Sequence, residues 1–169
     1  MVSAPGKPEP HTIEAARTPE DMAAARELFV EYADWLGEDL CFQGFSRELA
    51  ELPGDYCPPC GRLFLARTVH PARGEPAGCI ALRPFDAHAA EVKRLYVRPA
   101  HRGSGLGSRL ARLAIVAARE AGYRRLVLDT LARMEEAVRL YRGLGFGEIV
   151  AYYDNPLAGA LYFELELAP

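Results

Sequence analysis

With 169 residues, 50% of them apolar and 25% charged, the chain has the length of one domain and the balance of a globular protein that buries its own core. That balance excludes disorder, collagen-like repeats and coiled coil, and no apolar run approaches the ~20 residues a membrane span requires. The net charge of −3 argues against nucleic acid as the main partner. The mean conceals an asymmetry. Between Glu91 and Arg125 stand nine basic residues against two acidic ones, a surplus of +7 that leaves −10 elsewhere. A basic island with glycines at its centre points to a bound polyanion, although several of its arginines belong to a solvated helix face.

Residues 1–10 have no apolar stretch and are expected to form a flexible tail without a secretory signal, which places the protein in the cytoplasm. Residues 11–169 are expected to form a single domain. His11–Ala16 reads as a short strand. Thr18-Pro19-Glu20-Asp21 is a helix start, with Thr18 as N-cap, Pro19 at the first helical position and Asp21 completing a capping box. Met22, Ala25, Phe29, Tyr32 and Leu36 follow at spacings of three and four, the period of an amphipathic helix. A second helix is expected over Ser46–Glu51, before Pro53-Gly54. Arg62–Val69 and Ala77–Arg83 read as a hairpin pair, and Ala90–Val97 as a third strand ended by Pro99.

Leu106, Leu110, Leu113, Ala114 and Ala117 mark a helix that Gly122 closes. Leu126–Thr130 is a short buried strand. Met134, Ala137, Leu140, Tyr141 and Leu144 mark a further helix closed by Gly145, and strands over Phe146–Tyr153 and Ala160–Leu167 end the chain. Antiparallel hairpins at both ends of a central β-α-β unit predict an α+β fold: a twisted, mixed, mostly antiparallel sheet of six or seven strands with helices on both faces.

Four cysteines, Cys41, Cys57, Cys60 and Cys79, do not make a disulfide framework in a chain without an export signal. Cys57-Pro58-Pro59-Cys60 has the spacing of a redox pair or half a zinc site. It precedes a strand rather than a helix, however, and reads as a proline-stiffened loop. No metal is expected.

The chemistry concentrates where a strand runs through Arg102-Gly103-Ser104-Gly105-Leu106-Gly107 into a helix. Glycines let the backbone approach a ligand closely. The free N–H groups and positive dipole end of the helix then cradle an anion, with Arg98 and Arg102 adding charge. A P-loop is excluded because no Gly-Lys-Ser/Thr follows. A dinucleotide fold, with Asp129 as ribose acid, fits less well, because the spacing is GxGxG and an antiparallel hairpin precedes the unit.

Arg102–Gly107 resembles the R/Q-x-x-G-x-G/A pyrophosphate loop of the GNAT N-acetyltransferases. Lys93–Pro99 is similar to that family's fourth strand, and Leu140-Tyr141-Arg142-Gly143-Leu144-Gly145-Phe146 to its LYxxxGF motif. The resemblance implies that acetyl-CoA is the donor, its pyrophosphate bound by amides of Arg102, Gly103, Ser104, Gly105, Leu106 and Gly107. It implies that main-chain groups of Leu95 and Val97 pair with the pantetheine arm, and that Tyr141 protonates the leaving thiolate. Tyr141 also fits the apolar stripe of its helix. Where the family often carries Asn, this chain has Met134, so a cofactor hydrogen bond is either missing or supplied by Thr130.

Acetylating an amine requires a base. Glu91, at the start of the fourth strand beside the acyl end of the cofactor, is the first choice, acting through a water, with pairing to Lys93 or Arg83 as its other reading; Asp129, at the end of the fifth strand, is the second candidate. Tyr32, Trp35, Phe42, Phe45, Tyr56, Tyr152, Tyr153 and Asn155 are candidate pocket walls, and Glu31, Asp34 and Glu38 would favour a cationic amine. The resulting expectation is a direct, ternary-complex N-acetyltransferase. Its acceptor is a small-molecule amine such as an amino acid or polyamine, or else a protein amine. Neither nucleic acid nor membrane is expected as a partner, and a homodimer is left open. A non-catalytic acyl-CoA-binding module on the same fold is the alternative, and a nucleotide-binding oxidoreductase the third reading.

Overall fold

The element order read from the sequence is the order observed in a computed structural model that describes residues 11–70 and 72–167. The expected tail, residues 1–10, lies outside the described residues. Strand β1 (His11–Ala15) leads into helices α1 (Pro19–Leu36) and α2 (Phe45–Glu51), then strands β2 (Arg62–Thr68), β3 (Pro76–Pro84) and β4 (Ala89–Val97). Helix α3 (Leu106–Glu120), strand β5 (Arg125–Leu131), helix α4 (Glu135–Gly143) and strands β6 (Gly147–Ile149) and β7 (Ala160–Glu166) follow.

The strands form one sheet in the order β1-β2-β3-β4-β5-β7-β6. Its pairings are antiparallel except that of β4 with β5, where α3 returns the chain across the sheet between parallel neighbours. Side chains alternate between the two faces with the two-residue period of a strand. Leu63, Leu65, Cys79, Ala81 and Tyr96 meet Leu28 and Phe29 of α1 on one face. Phe64, Ile80, Leu82, Val92, Leu126 and Leu128 meet Leu106 and Leu110 of α3 on the other. Phe29 and Leu110 are fully buried, and each such side chain contributes about 1.5–3 kcal/mol. The capping box of α1 is formed: the Asp21 N–H donates to Thr18 Oγ1 at 3.2 Å and the Thr18 N–H to Asp21 Oδ2 at 3.1 Å.

Two irregularities shape the centre. On β4, Lys93 stands opposite Ala81 but Tyr96 opposite Cys79, so β4 carries one extra residue, and Arg94 takes φ 57°. This β-bulge bends β4. Pairing of β4 with β5 then ends at Glu91 opposite Val127. Beyond that register the two strands diverge and open the sheet.

The expected strand over Phe146–Tyr153 shortens to Gly147–Ile149. Tyr152 and Tyr153 leave the sheet to donate hydrogen bonds inward, to Glu91 Oε1 at 3.0 Å and Asp129 Oδ2 at 2.8 Å. Their rings pack edge-on against Tyr162, with centroids 5.2 and 5.6 Å away. Burial of three aromatic rings and two satisfied phenols outweighs the few ladder bonds forgone.

Candidate active site

Gly103 and Gly105 stand at φ 76° and 78°, a left-handed conformation that disfavours a side chain, and a Cβ at either would meet nothing within 4 Å. The chain can therefore turn tightly and present bare backbone. Gly105 is the N-cap of α3, no side chain caps its N–H groups, and its first turn holds no acidic residue. The uncapped N-terminus of a 15-residue helix, its exposed N–H groups and positive dipole end uncompensated by any acidic side chain, is a ready anion cradle. Ser104 turns away, donating to the His101 carbonyl at 2.7 Å.

Arg102 lies along the cavity wall. Its Nε donates to the Val97 carbonyl at 2.9 Å, and its guanidinium stacks 4.6 Å from the Trp35 ring centre. Arg98, expected to add charge to this loop, is instead bound to α1. It pairs with Glu31 at 2.7 Å and with Glu27, and donates to the Pro76 carbonyl at 2.6 Å.

The divergence of β4 and β5 opens a cavity of about 770 Å³ that reaches both faces of the sheet. Leu95, Val97, Arg102, Gly103, Gly105, Leu106 and Gly107 line one part of it, and Tyr141 enters from α4. Tyr141 is buried, its ring edge-on to Phe146 at 5.5 Å. Among the described residues no hydrogen bond engages its hydroxyl, yet no fully buried side-chain polar atom lacks a partner. The hydroxyl therefore opens into the cavity. Burial raises its pKa, with the Tyr32 and Asp129 charges acting in the same direction, so the phenol keeps its proton.

The polar floor lies where the strands part. Lys93 and Asp129 each sit two residues past the last paired positions, Glu91 and Val127. Lys93 Nζ donates to Asp129 Oδ1 at 3.3 Å, and Asp129 Oδ2 accepts from Tyr153 and from Asn155 Nδ2 at 3.1 Å. Both line the cavity, as do Gln43, Arg94 and Thr130.

Glu91 does not line it. One register earlier, where β4 and β5 are still paired, its carboxylate is buried behind Lys93, bound by Arg83 at 2.7 Å and by Tyr152, with Lys93 Nζ at 3.7 Å. The Thr130 hydroxyl is turned to Met134 Sδ at 3.7 Å.

Arg94 locks α2 to the bulge. Its guanidinium is bidentate on Glu48, at 2.6 and 3.0 Å, reaches Gln43 Oε1 at 3.0 Å and stacks on Phe45. Tyr56 donates to the same Glu48 carboxylate at 2.6 Å. Desolvation opposes the Glu48 charge, but Arg94 prevails and its pKa falls.

Two of the acids expected to attract a cationic amine are already paired, Glu31 to Arg98 and Glu38 to Arg133 at 2.9 Å. Lys93 and Gln43 were absent from the expected site. The alternation of Glu91 and Lys93 on β4, which sets both on one face, was the visible signal for Lys93; Gln43 had none, since its partner Arg94 lies 51 residues away.

A sequence model described as the acetyltransferase (GNAT) family matches residues 22–146. The chain belongs to the GNAT family. A GNAT chain of this length has full-length relatives: an uncharacterized N-acetyltransferase of Schizosaccharomyces pombe is 40% identical over 96% of this chain and 98% of its own. Another, from Dictyostelium discoideum, is 27% identical over 80% and 89%. A GNAT-family acetyltransferase from Staphylococcus aureus shares the fold at TM-score 0.77 and 19% identity, covering 94% of this chain and all of that one. A fold relative from Salmonella typhimurium, described with its cofactor acetyl-CoA, reaches TM-score 0.65 at 23% identity over 94% of each chain. Among the described residues no helix is long and apolar enough to cross a membrane, and no cluster of His, Cys, Asp or Glu has metal-binding form.

Proposed function

We propose that this GNAT chain transfers an acetyl group from acetyl-CoA directly to the amine of a small molecule. The observation that carries the reading is the opening between β4 and β5. It sets the α3 anion cradle, a proton-bearing phenol and a carboxylate around one cavity. The donor fits residues on the wall. The uncapped amides from Gly103 to Gly107 would hold its pyrophosphate, and the backbone of Leu95 and Val97 would align its extended arm. That the Salmonella fold relative is described with acetyl-CoA as its cofactor supports acetyl-CoA as the donor.

Bound acetyl-CoA supplies the thioester: a C–N bond forms at the acyl carbon as the C–S bond breaks. Asp129 receives the proton that the acceptor ammonium must lose, and Tyr153 and Asn155 orient that carboxylate. Asp129 is preferred to Glu91 because it faces the cavity, whereas Glu91 is spent on Arg83 and Tyr152. Tyr141 gives its proton to the departing sulfur and is reprotonated by the second proton that the nitrogen sheds as the amide forms.

The test is thiol release from acetyl-CoA across a panel of amines. Amine-dependent release supports transfer. Tight acetyl-CoA binding without release for any amine would indicate a binding module instead.

A further inference from the structure

We infer that the acceptor is an amino acid with an apolar side chain, its α-amino group held by Asp129 and its α-carboxylate by Lys93. The inference rests on the acetyl-transfer reading of the same cavity. Lys93 and Asp129 face each other across the first unpaired register of β4 and β5, 3.3 Å apart, and both line the cavity while nearly buried. An ammonium has three donors and a carboxylate about four acceptor positions. Lys93 gives one hydrogen bond to Asp129, and Asp129 accepts from Lys93, Tyr153 and Asn155. A donor and an acceptor thus remain side by side, as the two charged groups are on an amino acid's α-carbon.

Charge balance selects against other amines. On the floor Lys93 is matched by Asp129 and Arg94 by Glu48 behind it, and the Arg83–Glu91 pair buried beyond Lys93 is likewise balanced. A bare ammonium entering there would bury a positive charge beside Lys93 with no new counter-ion, and a polyamine would repeat that cost at each nitrogen. Other carboxylates offer no relief at that depth: Glu31 and Glu38 are paired with Arg98 and Arg133, and Glu135 and Glu136 line the cavity only from the exposed first turn of α4. An amino acid brings its own carboxylate and leaves the sum unchanged.

The side chain has an apolar place to go. Asp129 and Leu131 share one face of β5 by the two-residue period. Leu131 forms a buried cluster with Leu36 and Leu40, against which Met134 and Leu157 pack, and all five line the cavity.

The experiment compares initial rates of thiol release at saturating acetyl-CoA for five acceptors: leucine, phenylalanine, isopentylamine, phenethylamine and spermidine. The two monoamines keep the amino acids' side chains and lack the carboxylate. The expected result is a kcat/KM about 10- to 100-fold higher for each amino acid than for its decarboxylated partner, the range for one hydrogen bond to a charged group. Lys93→Met should erase that ratio by raising KM for the amino acids, and Lys93→Arg should restore part of it. The wild-type comparison stands even if a variant fails to fold. Equal or faster turnover of the monoamines or spermidine overturns the inference. No release with any of the five overturns it as well; turnover of a peptide amine would then show that transfer survives and only the acceptor class is wrong.

Discussion

Replacing Tyr141 with Phe removes one oxygen and isolates its role. The ring keeps its edge-on contact with Phe146, and no hydrogen bond among the described residues is lost, because the hydroxyl opens into the cavity. Stability should therefore change by less than about 0.5 kcal/mol, a shift of roughly 2 °C or less in Tm. A positioned general acid contributes roughly 100- to 10,000-fold, or about 3–5 kcal/mol of barrier. We expect kcat to fall by at least 100-fold while acetyl-CoA affinity stays within about threefold. Thiol-release kinetics, titration calorimetry and a thermal melt measure the three quantities. A variant with kcat within about threefold of wild type would refute Tyr141 as the acid; a melt lowered by about 10 °C would show a structural role instead.

Other sites make equally definite predictions. Asp21 is nearly buried and desolvation opposes its charge, but the Arg17 and Thr18 amides, Arg73 and Arg67 outweigh that and hold its pKa at about 2. A depressed carboxylate stabilises above its unfolded value near 3.8 and loses that stabilisation as pH falls toward 2. Asp21→Asn should therefore cost about 2 kcal/mol at pH 7 and progressively less below pH 4, read by urea melts at several pH values. Glu48→Gln leaves the buried Arg94 guanidinium without its counter-ion and should cost about 3 kcal/mol or more, seen as a clear drop in Tm. Gly105→Ala forces a side chain into φ 78° and should lose about 1–2 kcal/mol and weaken acetyl-CoA binding. Gly107→Ala should be tolerated in both respects, since its Cβ would meet Val97 and Leu140 only at ordinary distances of 3.9 and 4.0 Å.

Local signals made the glycine loop and the buried tyrosine of α4 legible. Gly103, Gly105 and Gly107 ahead of a helical stripe announce a cradle from neighbouring residues alone, and Tyr141 sits in a contiguous motif. The order of elements follows from periodicity and glycine stops, and Gly122 and Gly145 end their helices at φ 85° and 95° as their positions predict. What the residues did not show depends on contacts between distant segments. The bulge at Arg94 is stabilised by Glu48, 46 residues away, so no local pattern marks it. Glu91 and Asp129 are both acids on central strands, and only the register at which β4 and β5 part decides which one faces the cavity. Arg98 reads as part of the basic island until Glu27 and Glu31 of α1 are folded against it. The early end of β6 is likewise set by Glu91 and Asp129, which draw Tyr152 and Tyr153 out of the sheet.

Acetyl transfer to an amino acid in the opening between β4 and β5 leaves a product that can be weighed. Mass spectrometry of the products formed by the purified chain from acetyl-CoA and leucine detects it. N-acetylleucine and free CoA are expected in equal amounts, neither without the protein and both strongly reduced by Asp129→Asn. Free CoA without acetylated product, or firm acetyl-CoA binding with neither product formed from any amine, would contradict that transfer.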